Sequence, residues 1–307
     1  MASLTYDAES KNYQPMVDLI NSKMEEDQGN RYRYELEQII LAQKDIYQQK
    51  QIQFRSHMGA SLLGGQCKRS IWYSFRWVKE PFFDGRMIRL FNRGHMEEMR
   101  LIALLRQAGL TVWFTKDDGG QFEFSNCRGH YGGSLDCVVR GVPGFDSHPM
   151  LGEFKTHSEK SFNKLVKLGV ALAKPEHKVQ MNQYMGHYRL KLALYVAVNK
   201  NNDELYIEIV EFDQELFDYE VQVATNVALN KRPPPRMSKS ESHFVCKYCD
   251  FKDICFNKGN VKPTCRTCEN VVQLDGGNWE CNLNKGINLS KEMQYNGCSK
   301  RIQLEEI

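Results

Sequence analysis

The chain has 307 residues, 41% of them hydrophobic, and a formal net charge of +3. That length suits one large domain with an appendage, or two domains, and the apolar content can build a core. So small a charge does not identify a nucleic-acid partner, so any basic surface must be local. No run of about 18 apolar residues occurs and the polar N-terminus lacks a signal-peptide pattern, which argues against a helical membrane span. The expectation is a soluble, cytoplasmic protein whose ten cysteines are thiols or metal ligands rather than disulfides.

Residues 1–55 are charged and glutamine-rich, with sparse apolar residues at helical spacing (Val17, Ile20, Met24; Leu36, Ile39, Ile40). They predict two helices covering a core made elsewhere. From 56 to 80 the character changes: Cys67 stands beside Lys68 and Arg69, followed by Trp72, Tyr73, Phe75 and Trp77. Taken alone, Cys67 reads as a buried thiol on a core helix. A strong helix is predicted from Arg86 to Gln107, with Ile88, Phe91, Met99, Ile102 and Leu105 as its apolar stripe. His95 and Glu98 fall within that stripe, three apart on one face. A carboxylate facing a core is costly unless it is paired or bound to metal.

Gly109 ends that helix, and strands are expected at 110–115 and 121–125. Gly133 to Val139 reads as a further strand carrying Asp136, and Met150 to Thr156 as another carrying Glu153 and Lys155; a turn-rich insert separates them. If these two strands pair, Asp136 and Glu153 meet at one point. Lys155 then shares the face of Glu153, because strand side chains repeat every two residues. Converging carboxylates with a lysine suit a hard divalent ion and an oriented water, whereas an isolated Glu-x-Lys would be an ordinary surface pair. Next comes a lysine-rich stretch (Lys160, Lys164, Lys167, Lys174, Lys178), either a solvated face or a phosphate track. Pro175 opens a helix on which Gln180, Tyr184 and His187 share a face. A hairpin is predicted over 192–212 and a helix over 214–229, with Leu216, Tyr219, Val223 and Val227 inward. The basic, proline-rich stretch from Lys231 to Arg236 marks a boundary.

Taken in order, the helix with Glu98, the strand with Asp136, the strand with Glu153-Phe154-Lys155 and the helix with Gln180-x-x-x-Tyr184 resemble the PD-(D/E)XK nuclease superfamily. The similarity is to its RecB-like branch, whose last motif is a glutamine and tyrosine four apart, and it spans about Ser56 to Cys255. The resemblance implies an α/β core, a mixed central sheet flanked by helices. It implies Mg²⁺ or Mn²⁺ held by Asp136, Glu153 and the carbonyl of Phe154, with Lys155 positioning the attacking water. Gln180 and Tyr184 would orient the lysine or the DNA strand. RecB-like enzymes usually carry histidine four residues after the glycine of the leading helix. Here Gly94 plus four is Glu98, as in lambda-type phage exonucleases, so Glu98 is the first candidate ligand there and His95 the second. The proline that precedes the aspartate in the family is absent.

The late cysteines extend the resemblance. Cys246, Cys249 and Cys255 give C-x₂-C-x₅-C, and with the early Cys67 they resemble the iron–sulfur nucleases: the AddB subunit and CRISPR-associated RecB-like proteins. That layout implies a [4Fe–4S] cluster on the four thiolates, which would also suit zinc. Cys265, Cys268, Cys281 and Cys298 read separately as a small zinc ribbon, since so short a segment buries too little core to stand without a metal. The expected organisation is a helical extension (1–55), a nuclease domain closed by the cluster (56–258) and a C-terminal cysteine-rich zinc module (259–307). The expected function is metal-dependent hydrolysis of DNA, in the manner of an exonuclease, in replication, recombination or end processing, with other replication or recombination proteins as partners. The alternative is a non-catalytic nucleic-acid-binding protein on the same fold. No Gly-x₄-Gly-Lys-Ser/Thr loop is present, which excludes a helicase motor within the chain.

Overall fold

A computed structural model describes residues 11–42, 54–117, 119–284 and 286–307. Parts of the expected N-terminal extension (1–10 and 43–53) lie outside the described residues. In chain order the elements are α1 (Gln14–Glu26), α2 (Asn30–Ala42), β1 (Met58–Gly59), α3 (Ala60–Leu63), α4 (Lys68–Phe75), α5 (Gly85–Gln107), β2 (Thr111–Trp113), β3 (Glu123–Asn126), β4 (Tyr131–Ser134) and β5 (Cys137–Arg140). After these come β6 (Met150–His157), α6 (Glu159–Ala173), α7 (Pro175–Tyr188), β7 (Leu192–Asn199), β8 (Leu205–Glu211), α8 (Gln214–Leu229), α9 (Phe244–Lys247), α10 (Lys252–Asn257), β9 (Val271–Gln273), β10 (Trp279–Cys281) and α11 (Lys291–Asn296).

The chain forms two compact units drawn from interleaved segments. The first comprises Met1–Gln49, Phe83–Glu123 and Ser134–Gln214; the second comprises Lys50–Phe82, Phe124–Gly133 and Glu215–Ile307.

The first unit is built on a five-stranded sheet in the order β2-β5-β6-β7-β8. Every neighbouring pair is antiparallel except β6 and β7, which run parallel through the α6–α7 crossover. This is the mixed sheet expected from the motifs. β6 is central, and its register with β5 (Cys137 opposite Gly152) brings the bend at Asp136 level with Glu153. Gly152 is required there: an added Cβ would lie 2.3 Å from the Cys137 sulfur. One face of the sheet packs Phe154, Leu194, Val196 and Ile207 against α1 and α5. The other carries Glu153, Lys155 and Tyr195 beneath α6 and α7.

Two helices differ from their sequence reading. In α5, Met99, Ile102 and Leu105 are buried as expected, but Ile88 and Phe91 are 57% and 42% exposed. The buried residues of α5 run only from Glu97 to Gln107, so the periodic stripe runs past the core. In α8, Tyr219 is 59% exposed, and the buried side is Glu220, Ala224, Val227 and Ala228. Lys68 lies 3.5 Å from the Glu220 carboxylate, so a charged residue takes an inward position that hydrophobic periodicity assigns to its neighbour.

The second unit holds a three-stranded sheet (β1-β4-β3), the β9–β10 hairpin and both cysteine-rich stretches. Its centre is aromatic: Trp72, Trp77 and Trp279 are all fully buried. The stretch Lys231–Arg236 is pinned within this unit. Lys231 pairs with Glu269 at 2.8 Å, Arg232 with Glu305 at 3.0 Å, and the Pro234 carbonyl accepts from Arg69 at 2.8 Å.

Candidate active site and cysteine sites

Glu153 and Lys155 leave β6 on the same face, and the Lys155 ammonium contacts the Glu153 carboxylate directly. Glu153 is fully buried. Asp136 sits at the bend between β4 and β5, where its Oδ2 accepts the backbone N–H of Phe154 at 2.9 Å. Glu98, on α5, faces this group closely enough that both carboxylates act on it. Burial first, then the negative charges of Asp136 and Glu153, push its carboxyl up to about 8, with Lys155 opposing. Glu153 is raised to about 7, by burial first and by Asp136, again against Lys155. Asp136 is raised by burial, with Lys155, the Phe154 N–H and His95 pulling the other way. Burial acts to lower Lys155, yet Glu153, Asp136 and Glu98 hold it above its ordinary value.

These directions have one cause: three acids share one buried place with a single lysine. Glu153 Oε2, moreover, is buried with no hydrogen-bond partner. Among the described residues no group of three or more His, Cys, Asp or Glu side chains is already closed around an ion. The donor set nonetheless suits a hard divalent cation, which would occupy the orphaned oxygen and offset the repulsion.

The remaining expected residues fall around this centre. His95 is exposed on α5, with its charge acting on Asp136. The ring of Phe154 turns into the opposite core, leaving only its backbone at the site. Gln180 is half-buried and Tyr184 buried on α7, which packs on β6 and β7. Sequence reasoning missed a hydrogen-bonded group behind Lys155. The Tyr195 hydroxyl lies 3.0 Å from His157 Nε2 and 2.9 Å from His177 Nδ1, and His157 Nδ1 lies 3.1 Å from Ser161 Oγ. Burial pulls both histidines down, His157 to about 4, with Lys155 adding to the effect in each. His157 was findable, two residues beyond Lys155 on the same strand face; Tyr195 depends on strand register and carries no such signal.

The second unit brings each expected cysteine set together. Cys67, the N-cap residue of α4, lines a cavity of about 280 Å³ with Cys246, Cys249 and Cys255. Burial and then Cys67 raise the thiol of Cys246; burial first, then Cys67, Asp250 and Cys255, raise that of Cys249 against the Phe251 N–H. Cys265, Cys268, Cys281 and Cys298 line a separate cavity of about 20 Å³. Burial, then Cys298, Cys268 and Cys281, push Cys265 up to about 11. As they stand, neither set of thiols closes on a common point. Four sulfur donors around each cavity fit a thiolate-bound centre.

No protein-family model matches this chain, and no curated protein matches its sequence. Among solved structures it is similar to SSO0001, at 16% identity over 73% of this chain and 95% of that one, with a TM-score of 0.39. An alkaline exonuclease from Laribacter hongkongensis matches at 13% identity over 56% of this chain and 86% of the other, TM-score 0.38. A phage-related exonuclease from Haemophilus somnus matches at 15% over 52% and 77%, TM-score 0.35. At these TM-scores the likenesses carry no functional inference. No described helix is long and apolar enough to cross a membrane.

Proposed function

We propose that this chain is a divalent-metal-dependent deoxyribonuclease acting as an exonuclease, with Asp136, Glu153, Lys155 and Glu98 at its centre. The observation that carries the reading is the meeting of one fully buried and two half-buried carboxylates with one lysine, one oxygen of the buried carboxylate lacking a partner. Asp136, Glu153, Glu98 and the carbonyl of Phe154 would hold Mg²⁺ or Mn²⁺, with His95 next to them. When bound, the metal supplies charge stabilisation at the phosphate and a more acidic water. Lys155, tied to Glu153, presents its ammonium where it orients a nucleophilic water or a phosphate oxygen. Gln180 and Tyr184 would hold the lysine or the strand from α7. DNA as substrate, and exonuclease action, rest on the motif order and on glutamate at position 98, the lambda-type pattern.

The two cysteine sets would be structural. Cys67, Cys246, Cys249 and Cys255 would carry a [4Fe–4S] cluster, and Cys265, Cys268, Cys281 and Cys298 one zinc ion; each quartet lines one cavity. A cytoplasmic setting and partner proteins in DNA replication or recombination belong to the same proposal. End-labelled single- and double-stranded DNA, with circular controls, tests the reaction in Mg²⁺ or Mn²⁺. Wild-type protein should degrade the linear substrates, while Glu153→Gln and Lys155→Ala should not. Cleavage by Glu153→Gln at the wild-type rate would refute the assignment.

A further inference from the structure

On the face of β6 that bears Glu153 and Lys155, the next position is His157, and the residues of β7 level with these three are Tyr195, Ala197 and Asn199. Tyr195 starts level with Glu153, yet its hydroxyl meets the ring of His157, four residues farther along, at 3.0 Å. Four residues of strand span about 13 Å. The two side chains therefore lean toward each other across Ala197, whose methyl group leaves the space beside Lys155. The same hydroxyl meets His177 Nδ1 at 2.9 Å, from the first turn of α7 and three residues before Gln180. His157 Nδ1 in turn meets Ser161 Oγ of α6. Tyr195 is fully buried and His157 is 5% exposed.

A phenol has one proton to donate. Its hydroxyl can therefore donate to at most one of the two imidazoles and must accept an N–H from the other, so each ring's tautomer and orientation depend on the rest. We infer that the Tyr195 hydroxyl is a positioning hub. Through His157 and His177 it fixes the Lys155 side chain of β6 relative to the helix that carries Gln180 and Tyr184. Tyr195, His157 and His177 are positioning residues and touch no substrate. An apolar trio of the same shape would fill the space equally well, but it would leave the lysine stem and the α7 N-terminus free to shift independently. The kinetic part of this inference rests on the nuclease reading; the geometric part does not.

Tyr195→Phe removes the hydroxyl and keeps the ring, and His177→Ala cuts one spoke. Should Tyr195→Phe fold poorly, His177→Ala gives the same readouts from a partly exposed helix turn. The lysines are labelled by reductive ¹³C-methylation, with the Lys155 signal assigned from its loss in Lys155→Arg. Both variants should shift and broaden the Lys155 resonance while the other lysine signals stay in place. The kcat for DNA cleavage should fall about ten- to a hundredfold at unchanged KM, the scale of a displaced catalytic group. The double variant should be no worse than either single one, because both act through one hydroxyl. His177→Asn, which can still offer a hydrogen bond near Nδ1, should recover most of the loss. A Lys155 resonance identical to wild type in both variants overturns the inference whether or not the protein cleaves DNA. So does a lowered Tm with unchanged kcat, which would mark a packing role. A Lys155 resonance that shifts in a protein with no cleavage under any divalent metal upholds the hub and refutes the nuclease reading alone.

Discussion

Clustering three acids around one lysine makes metal-free protein lose stability as pH rises, and divalent metal should reverse that loss. Glu98 has a folded value of about 8, against about 4.5 in an open chain. A raised folded value means that the native state keeps a proton the unfolded state has released. The stabilisation is complete below the unfolded value and is lost as pH climbs through the folded one. Histidines pulled down by burial, such as His130 at about 4, act in the opposite sense, but that effect is confined to the range below about pH 6.5. Between about pH 6.5 and 8.5 the carboxylates act alone among these groups. The remaining displacement of Glu98 there is about 1.5 units, worth about 2 kcal/mol at about 1.36 kcal/mol per unit. Glu153, at about 7, adds in the same direction. Urea unfolding in metal-depleted buffer across this window measures the fall, with Glu98→Gln as control, so that the thiols contribute equally to both proteins. Wild type should lose about 2 kcal/mol more than Glu98→Gln. Mg²⁺ or Mn²⁺ should stabilise wild type more at the higher pH, where the carboxylates are ready to bind it. Parallel curves for wild type and Glu98→Gln, or equal metal stabilisation at both ends of the window, would show that the acids do not share a site.

Protein purified without oxygen should absorb broadly near about 400 nm from thiolate-ligated iron. Cys67→Ala should abolish that band and the iron content while retaining zinc, whereas Cys265→Ala should do the reverse on elemental analysis. Arg266→Met should cost about 3 kcal/mol in urea titration, because it strands the Phe75 and Ser56 carbonyls and Gln294 that its guanidinium now satisfies; a loss under about 1 kcal/mol would mean these acceptors find other donors. Gly152→Ala, which drives a methyl group into the Cys137 sulfur, should cost about 2 kcal/mol, and adding Cys137→Ala should restore most of it.

The centre at Asp136, Glu153 and Lys155 was legible because its chemistry follows strand periodicity: two residues on one strand share a face, and one hairpin register supplies the third. Glu98 stood out as a carboxylate within the apolar stripe of α5, and the resemblance to lambda-type nucleases placed it four residues after Gly94. The C-x₂-C pairs marked the two late cysteine groups, whereas Cys67 joined the first only through the resemblance to iron–sulfur nucleases; the structure places it on the same cavity as Cys246, Cys249 and Cys255. Features set by tertiary register were not. The Tyr195 hub depends on β6 and β7 running parallel after a two-helix crossover, and nothing local in Leu192–Asn199 marks one tyrosine as polar machinery. The exposed start of α5 fails for the opposite reason. Ile88 and Phe91 continue a real apolar stripe, but periodicity cannot say where the sheet under a helix stops. In α8 the Lys68–Glu220 ion pair overrode hydrophobic pattern in favour of an inward carboxylate.

Each unit buries charge mostly of one sign, and the proposed centres answer that imbalance. In the first, carboxylates outnumber the lysine, and their raised proton affinity measures the shortage of positive charge. In the second, Arg76 and Arg266 are fully buried. Burial pulls Arg76 down to about 9, and burial and then Arg76 also pull Arg266 well below its ordinary value. Among the described residues, no carboxylate hydrogen-bonds either guanidinium. Arg266 lies instead 3.9 Å from the ring of Trp77 and 4.6 Å from that of Trp279, with its N–H groups on backbone carbonyls and Gln294. Arg266 also sits within Cys265-Arg266-Thr267-Cys268, between two of the proposed ligands. Four thiolates around a dipositive ion leave a net charge of about −2. A guanidinium held by π faces and carbonyls keeps its full charge available to such a centre, whereas a carboxylate partner would cancel it. The arrangement therefore makes physical sense with metal in the cysteine cavity, since a buried cation with no counter-charge is among the costliest groups a core can hold.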